Sequence, residues 1–80
     1  MEDRQIIQLI GQLAEEERRL EEAHAEDGLS PEDLERLGEL EVTLDQLWDL
    51  LRQRRALRDA GRNPDEAVER PAGTVEGYLQ

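Results

Sequence analysis

The chain lacks cysteine, phenylalanine and lysine, and each absence narrows what its 80 residues can form. Without cysteine it has no disulfides, no thiolate metal ligands and no cysteine nucleophile. Its only aromatic residues are Trp48 and Tyr78, too few for the core of an ordinary β-sheet. A chain this short also buries only about 60% of the surface that it exposes when unfolded, so we expect a further source of burial.

The charge is strongly one-sided. Acidic residues number 21 against 10 basic ones, all arginine, and the net charge is −11. Such a field repels phosphates and anionic membranes, so we expect no direct binding of nucleic acid. No run approaches the ~20 apolar residues of a membrane span, and the N-terminus lacks the basic region of a secretory signal. We therefore predict a cytoplasmic protein with no membrane association and no cofactor.

Leucines at alternating three- and four-residue spacing dominate the middle of the sequence. This spacing places them on one stripe of an α-helix, the seam along which two helices pack. They are Leu37, Leu40, Leu44, Leu47 and Leu51. An earlier apolar series supplies the partner helix, with Ile6, Leu9, Ile10, Leu13 and Leu20. The pattern predicts an all-α, antiparallel two-helix hairpin.

Start and stop signals set the bounds of this hairpin. Ser30 and Pro31 are typical of an N-cap and a first helical residue, while Gly28 and Gly61 are typical of left-handed helix ends. We predict helices over residues about 3–26 and 31–60, within a hairpin of residues 1–62. Residues 63–80 are predicted as a short helical turn beginning near Asn63, then an extended tail. That tail is either disordered or laid on the bundle through Val75, Tyr78 and Leu79.

The apolar arc widens at the end of the hairpin away from the loop, beyond what one partner helix covers. A second hairpin would bury the excess, so we predict a homodimer with four antiparallel helices. The residues predicted for self-association are Ile7, Ile10, Leu47, Trp48, Leu50, Leu51 and Leu57.

Glu17, Glu21 and His24 project onto one side of the first helix, and Glu41 is expected across from Glu17. The Glu-x-x-His spacing within this set is the one used by di-iron carboxylate bundles, which makes these residues metal-ligand candidates. The competing interpretation is that Glu17 and Glu41 pair with Arg18, Arg19 or Arg36, while His24 is exposed.

The other charged clusters favour partner binding. Arg52, Arg54, Arg55 and Arg58 form a basic patch that either docks an acidic partner or simply complements the helix dipole. At the hairpin tip, acidic residues suggest a protein that binds RNA polymerase or mimics DNA, although acidic residues beside a helix start are expected from the dipole alone. They are Glu26, Asp27, Glu32 and Asp33.

Two stretches carry a family resemblance: Asp-Gln-Leu-Trp-Asp-Leu-Leu-Arg-Gln-Arg-Arg at residues 45–55, and Val-Glu-Gly-Tyr-Leu-Gln at the end. Over nearly its whole length the chain resembles a family of roughly eighty-residue actinobacterial proteins known only as a domain of unknown function. This resemblance implies an intracellular bacterial protein and supplies no activity or site. The stretch from Leu44 to Arg55 also looks like the first helix of the all-helical chorismate mutases, but the cations that would hold their dicarboxylate substrate do not converge here.

From these patterns we expect a non-enzymatic helical interaction or adaptor protein with an unidentified protein partner. A carboxylate and histidine metal-binding bundle, and an acidic polymerase-binding or DNA-mimic protein, remain the alternatives.

Overall fold

A computed structural model describes residues 1–73 and residue 75. Helix α1 spans Asp3–Asp27, helix α2 spans Pro31–Asp59, and a 3-10 helix spans Pro64–Glu66. No strand occurs among these residues. The predicted all-α hairpin with a short following turn is thus confirmed, and the helix ends lie within one residue of those expected.

The connection between the helices follows from its capping residues. The Ser30 hydroxyl accepts a hydrogen bond from the backbone N–H of Asp33 at 3.2 Å, as predicted for an N-cap. Gly28 has a φ of 77°, which favours glycine, and its N–H donates to the carbonyl of His24. Its ψ of 168° differs from the left-handed helical conformation that we expected. The chain therefore turns sharply between α1 and α2.

The hydrophobic core lies between α1 and α2, mostly at the end away from this connection. Its buried members are Ile6, Ile10, Leu44, Leu47 and Leu51, with Leu9, Leu13 and Leu50 packed against them. The 100° rotation per residue puts these side chains on the facing stripes of the two helices. Towards the connection Leu20 and Leu37 are only partly buried, so the core thins there.

The segment after the 3-10 helix runs back along α2. Gln53 Nε2 donates to the carbonyl of Val68 at 2.8 Å, and Gln46 Nε2 donates to the carbonyl of Arg70 at 3.3 Å. Further on, Val75 is 1% exposed. Because Gln46 and Gln53 project away from the leucine stripe, α2 lies between α1 and this segment. The described part of the predicted tail is thus laid on the bundle, while Tyr78 and Leu79 lie outside the described residues.

Over the described part of the chain, neither helix has the length and apolar character needed to cross a membrane.

Candidate interaction surface

Arg54 ties together the start of α1, the end of α2 and the 3-10 helix. Its side chain is 8% exposed, donating through Nε to Asp3 Oδ1 at 2.5 Å and through a terminal nitrogen to Asp65 Oδ1 at 2.9 Å. Arg58 donates to the other Asp3 oxygen at 2.8 Å. Hydrogen bonds from Arg54 and then Arg58 hold the pKa of Asp3 below its ordinary value.

These contacts divide the predicted basic patch. Arg54 is buried and Arg58 is paired with Asp3, so neither presents a free cation to a partner. Arg52 and Arg55 are exposed and form no ion pair among the described residues. Helical spacing could not distinguish the paired arginines from the free ones, because Asp3, the carboxylate that binds Arg54, lies 51 positions earlier in the sequence.

Asp49 is a buried charge that the sequence analysis did not single out. It is 1% exposed on the side of α2 that faces the returning segment. Both of its oxygens accept hydrogen bonds from Arg70, one of them from Nε at 2.8 Å, and Gln53 Nε2 donates to it at 3.0 Å. These bonds, led by Arg70, hold the pKa of Asp49 below its ordinary value. The available signal was an aspartate inside a run whose other members are all apolar, Leu47-Trp48-Asp49-Leu50-Leu51.

The metal-ligand candidates converge only in part. Carboxylate oxygens of Glu17, Glu21 and Glu41 lie within 4.8 Å of one another, whereas His24 lies outside this group. Partial burial raises the pKa of Glu17, and the neighbouring charges of Glu21, Glu41 and Asp45 raise it further. Chemically, this cluster can take up a proton or attract an oxygen-preferring cation.

In the competing interpretation, Glu17 and Glu41 pair with Arg18, Arg19 or Arg36 and His24 is exposed; His24 is exposed, but neither glutamate forms an ion pair within residues 1–73. Arg36 instead forms an ion pair with Glu16 across the two helices at 2.7 Å, and Arg18 pairs with Glu15 and Glu22 along α1. The arginines thus pair with glutamates that neighbour Glu17 on α1, and not with Glu17 itself.

The acidic tip is where the sequence places it. Its four carboxylates are all exposed: Glu26, Asp27, Glu32 and Asp33. The polymerase-binding and DNA-mimic alternatives rest on this charge alone.

The residues predicted for self-association fall into three groups. Ile10, Leu47 and Leu51 are buried inside the hairpin, because they lie at the centre of the facing stripes. Leu50 and Leu57 are partly buried on one side of those stripes, whereas Ile7 and Trp48 are 51% and 44% exposed. Only the last pair presents large apolar surface to solvent.

Ile7 and Trp48 share one side of the hairpin. Each directly follows a buried residue, Ile6 or Leu47, and is rotated 100° from it. Because the helices are antiparallel, the same rotation leads to the same side on both. We call this side the lateral face. It consists of Ile7, Gly11 and Ala14 of α1 and Glu41, Asp45, Trp48, Arg52 and Arg55 of α2.

Comparison with known proteins identifies one family and several similar proteins. Residues 2–80 match a family described as "Protein of unknown function (DUF2630)". Uncharacterized proteins of Mycobacterium bovis and Mycobacterium tuberculosis are each 48% identical to the chain over 77 residues, which is 95% of this chain and 88% of the relative. No solved structure matches.

Proposed function

The chain belongs to this family of proteins of unknown function, DUF2630, as its resemblance predicted, and we propose that it is a non-enzymatic helical interaction protein. In this proposal it works in the cytoplasm and binds a protein partner through the lateral face. Exposed Trp48 is the observation that carries the proposal.

Trp48 and Ile7 make the lateral face suitable for binding protein. Trp48 is the only tryptophan of the chain and leaves 44% of its surface in solvent, although a buried stripe runs beside it. Tryptophan is among the residues most enriched at the centres of interfaces, since it buries a large rigid surface at low entropic cost. Covering Trp48 and Ile7 together would also supply the additional burial that so short a chain favours.

The buried charges support a structural rather than a catalytic role. Asp49 is engaged by Arg70 and Gln53, and Arg54 by Asp3 and Asp65. Each set joins segments that are distant in sequence. A general acid or nucleophile must be able to contact a substrate, whereas these charged groups use their hydrogen bonds to hold other parts of the protein.

Metal binding is the second candidate, favoured by the convergence of Glu17, Glu21 and Glu41. With His24 outside the group, the ligands are all carboxylate oxygens, a set that suits Mg²⁺, Ca²⁺ or Mn²⁺ better than Zn²⁺.

Site-specific photocrosslinking tests the interaction proposal. A photoreactive amino acid replaces Ala14 on the lateral face or, as the control, Gln12 on the back of α1; both positions are exposed. The full chain is expressed in a mycobacterial host and irradiated in the living cells. We expect discrete adducts from position 14 that position 12 does not give and that a Trp48→Glu change removes. Equal labelling at both positions, or none at position 14, would refute binding through this face.

A further inference from the structure

The α2 strip of the lateral face has an ordered charge pattern. Its residues follow at alternating spacings of four and three: Glu41, Asp45, Trp48, Arg52 and Arg55. Each comes directly after a buried residue of α2, namely Leu40, Leu44, Leu47, Leu51 and Arg54. The strip is therefore a second straight line along the helix, beside the buried one.

Trp48 is the midpoint of this pattern. Glu41 and Arg55 each lie seven residues from it, about 10.5 Å along the helix axis. Acidic residues occupy one half of the strip and basic residues the other. Within residues 1–73, none of the four charged members forms an ion pair or hydrogen bond, whereas exposed Arg18, Arg36 and Arg62 elsewhere do.

We infer that the partner bound by the lateral face is a second copy of this chain, with the two α2 helices antiparallel about a twofold axis at Trp48. This inference rests on the proposed function and names its partner. The strip is complementary to its own reverse: Glu41 of one copy meets Arg55 of the other, and Asp45 meets Arg52. The same surface serves both copies, as an isologous interface requires.

The opposite orientation conflicts with the charges. In a parallel pair, Glu41 would face Glu41 and Arg55 would face Arg55, and like charges across an interface act against binding. The pattern therefore selects the antiparallel arrangement, as charges flanking a coiled-coil seam do.

The α1 strip of the lateral face fits the same axis. The contact between Asp3 and Arg54 fixes the register of the hairpin, so Trp48, six residues before Arg54, lies level with Leu9, six residues after Asp3. Ile7 and Gly11 are equally far on either side of that level. The twofold axis consequently brings Ile7 of one copy over Gly11 of the other, where the space beside the backbone is open to 4 Å.

Charge reversal tests this pairing, with dimer dissociation measured by analytical ultracentrifugation of the full chain. Glu41→Arg places arginine against Arg55, and Arg55→Glu places glutamate against Glu41. Because two symmetric contacts change from attraction to repulsion, we expect each single variant to weaken the dimer about tenfold or more. The double variant restores opposite charges, and its dissociation constant should return close to that of the unaltered chain.

Glu35→Arg is the matched control, because it changes the net charge equally at an exposed position of α2 outside the lateral face. It should leave dimerisation within about twofold, and circular dichroism should show unaltered helix content in every variant. A double variant as weak as the singles, or a Glu35→Arg variant as weak as Glu41→Arg, would overturn the antiparallel pairing. A chain that sediments at 9.2 kDa up to high micromolar concentration would overturn self-association itself.

The crosslinking experiment separates this outcome from failure of the proposed function. Adducts from position 14 at twice the chain mass support the second copy as partner. Adducts of another mass, with a monomeric purified protein, would overturn the inference and leave binding through the lateral face in place.

Discussion

At the start of α2, one hydroxyl satisfies a backbone donor that the helix itself leaves unpaired. Ser30 accepts from the N–H of Asp33, and Pro31 fills the first helical position, where no donor is needed. Ser30→Ala should lower the free energy of unfolding by about 1 kcal/mol, because the Asp33 amide loses its cap. Urea unfolding followed by circular dichroism measures this. Ser30→Asp retains an acceptor and should stay close to the original stability; equal losses in both variants would mean that the cap is not the cause.

Glu17 is a residue whose charge the fold disfavours. Its pKa is raised above its ordinary value of 4.5, first by burial and then by neighbouring acids. The folded state therefore binds the proton of the Glu17 carboxyl more tightly than the unfolded state does. The loss of stability caused by ionising Glu17 is absent below pH 4.5 and develops as the pH rises through the folded pKa. Glu17→Gln should stabilise the protein at neutral pH by a few tenths of a kcal/mol, the scale of a like-charge helical pair. The gain should vanish in acid, and a pH-independent gain would contradict this origin.

The same variant tests the metal candidate. A cation held by Glu17, Glu21 and Glu41 would stabilise the native state by mass action. We expect millimolar Mn²⁺ or Mg²⁺ to change the melting temperature of the unaltered chain and of Glu17→Gln equally, through general screening of an acidic surface. A larger shift in the unaltered chain, with stoichiometric metal bound, would favour the metal-binding candidate instead.

At the scale of elements, the returning segment is fastened to α2 by a buried charge. Arg70→Ala leaves Asp49 in place without its main partner, and burying an unpaired charge is costly. Because the Arg70 side chain is 39% exposed, we expect a loss of about 2 kcal/mol, below the ~3–5 kcal/mol of a fully buried pair. Hydrogen exchange should show lost protection at Val68 and Val75 before any in α1.

The pH dependence of this loss follows from Asp49. Its folded pKa lies below the ordinary value of 3.8, so the stability that it contributes is present above that pH and is lost as pH falls through the folded pKa. The difference between the original chain and Arg70→Ala should therefore shrink in acid. Arg62→Ala is the control: Arg62 pairs with Glu66 in an exposed contact, and its removal should change stability little. A loss of stability in Arg62→Ala as large as that in Arg70→Ala would show that overall charge, and not the contact between Arg70 and Asp49, holds the segment.

For the molecule as a whole, Arg54 closes the open end of the hairpin. Its buried guanidinium bonds Asp3 of α1 and the exposed Asp65 of the 3-10 helix, so one side chain of α2 joins all three elements. Arg54→Met should lower the melting temperature more than Arg55→Met, since it leaves Asp3 with Arg58 as its remaining ion-pair partner and removes the ion pair that joins Asp65 to α2. Arg54→Lys should recover only part of the loss, because an ammonium lacks the planar fork. Equal melting temperatures for the Arg54 and Arg55 variants would remove this role.

Local pattern determined the elements of this protein. Leucine spacing, Ser30 with Pro31, and the two helix-ending glycines predicted an all-helical hairpin with ends within one residue of those observed, because these signals act over a few residues. The sequence also brought Glu17, Glu21 and Glu41 to one place, since helical rotation and an antiparallel turn suffice for that.

Only the tertiary structure decided which charged side chains form ion pairs within the fold. Arg54 finds Asp3 and Asp49 finds Arg70 across 51 and 21 positions, and no periodicity encodes a pairing between segments so far apart. The same packing buried Ile10, Leu47 and Leu51 while leaving Ile7 and Trp48 exposed. The spacing of apolar residues predicts which face of each helix is apolar. Only the way the second helix packs against that face decides which of its residues remain exposed to solvent.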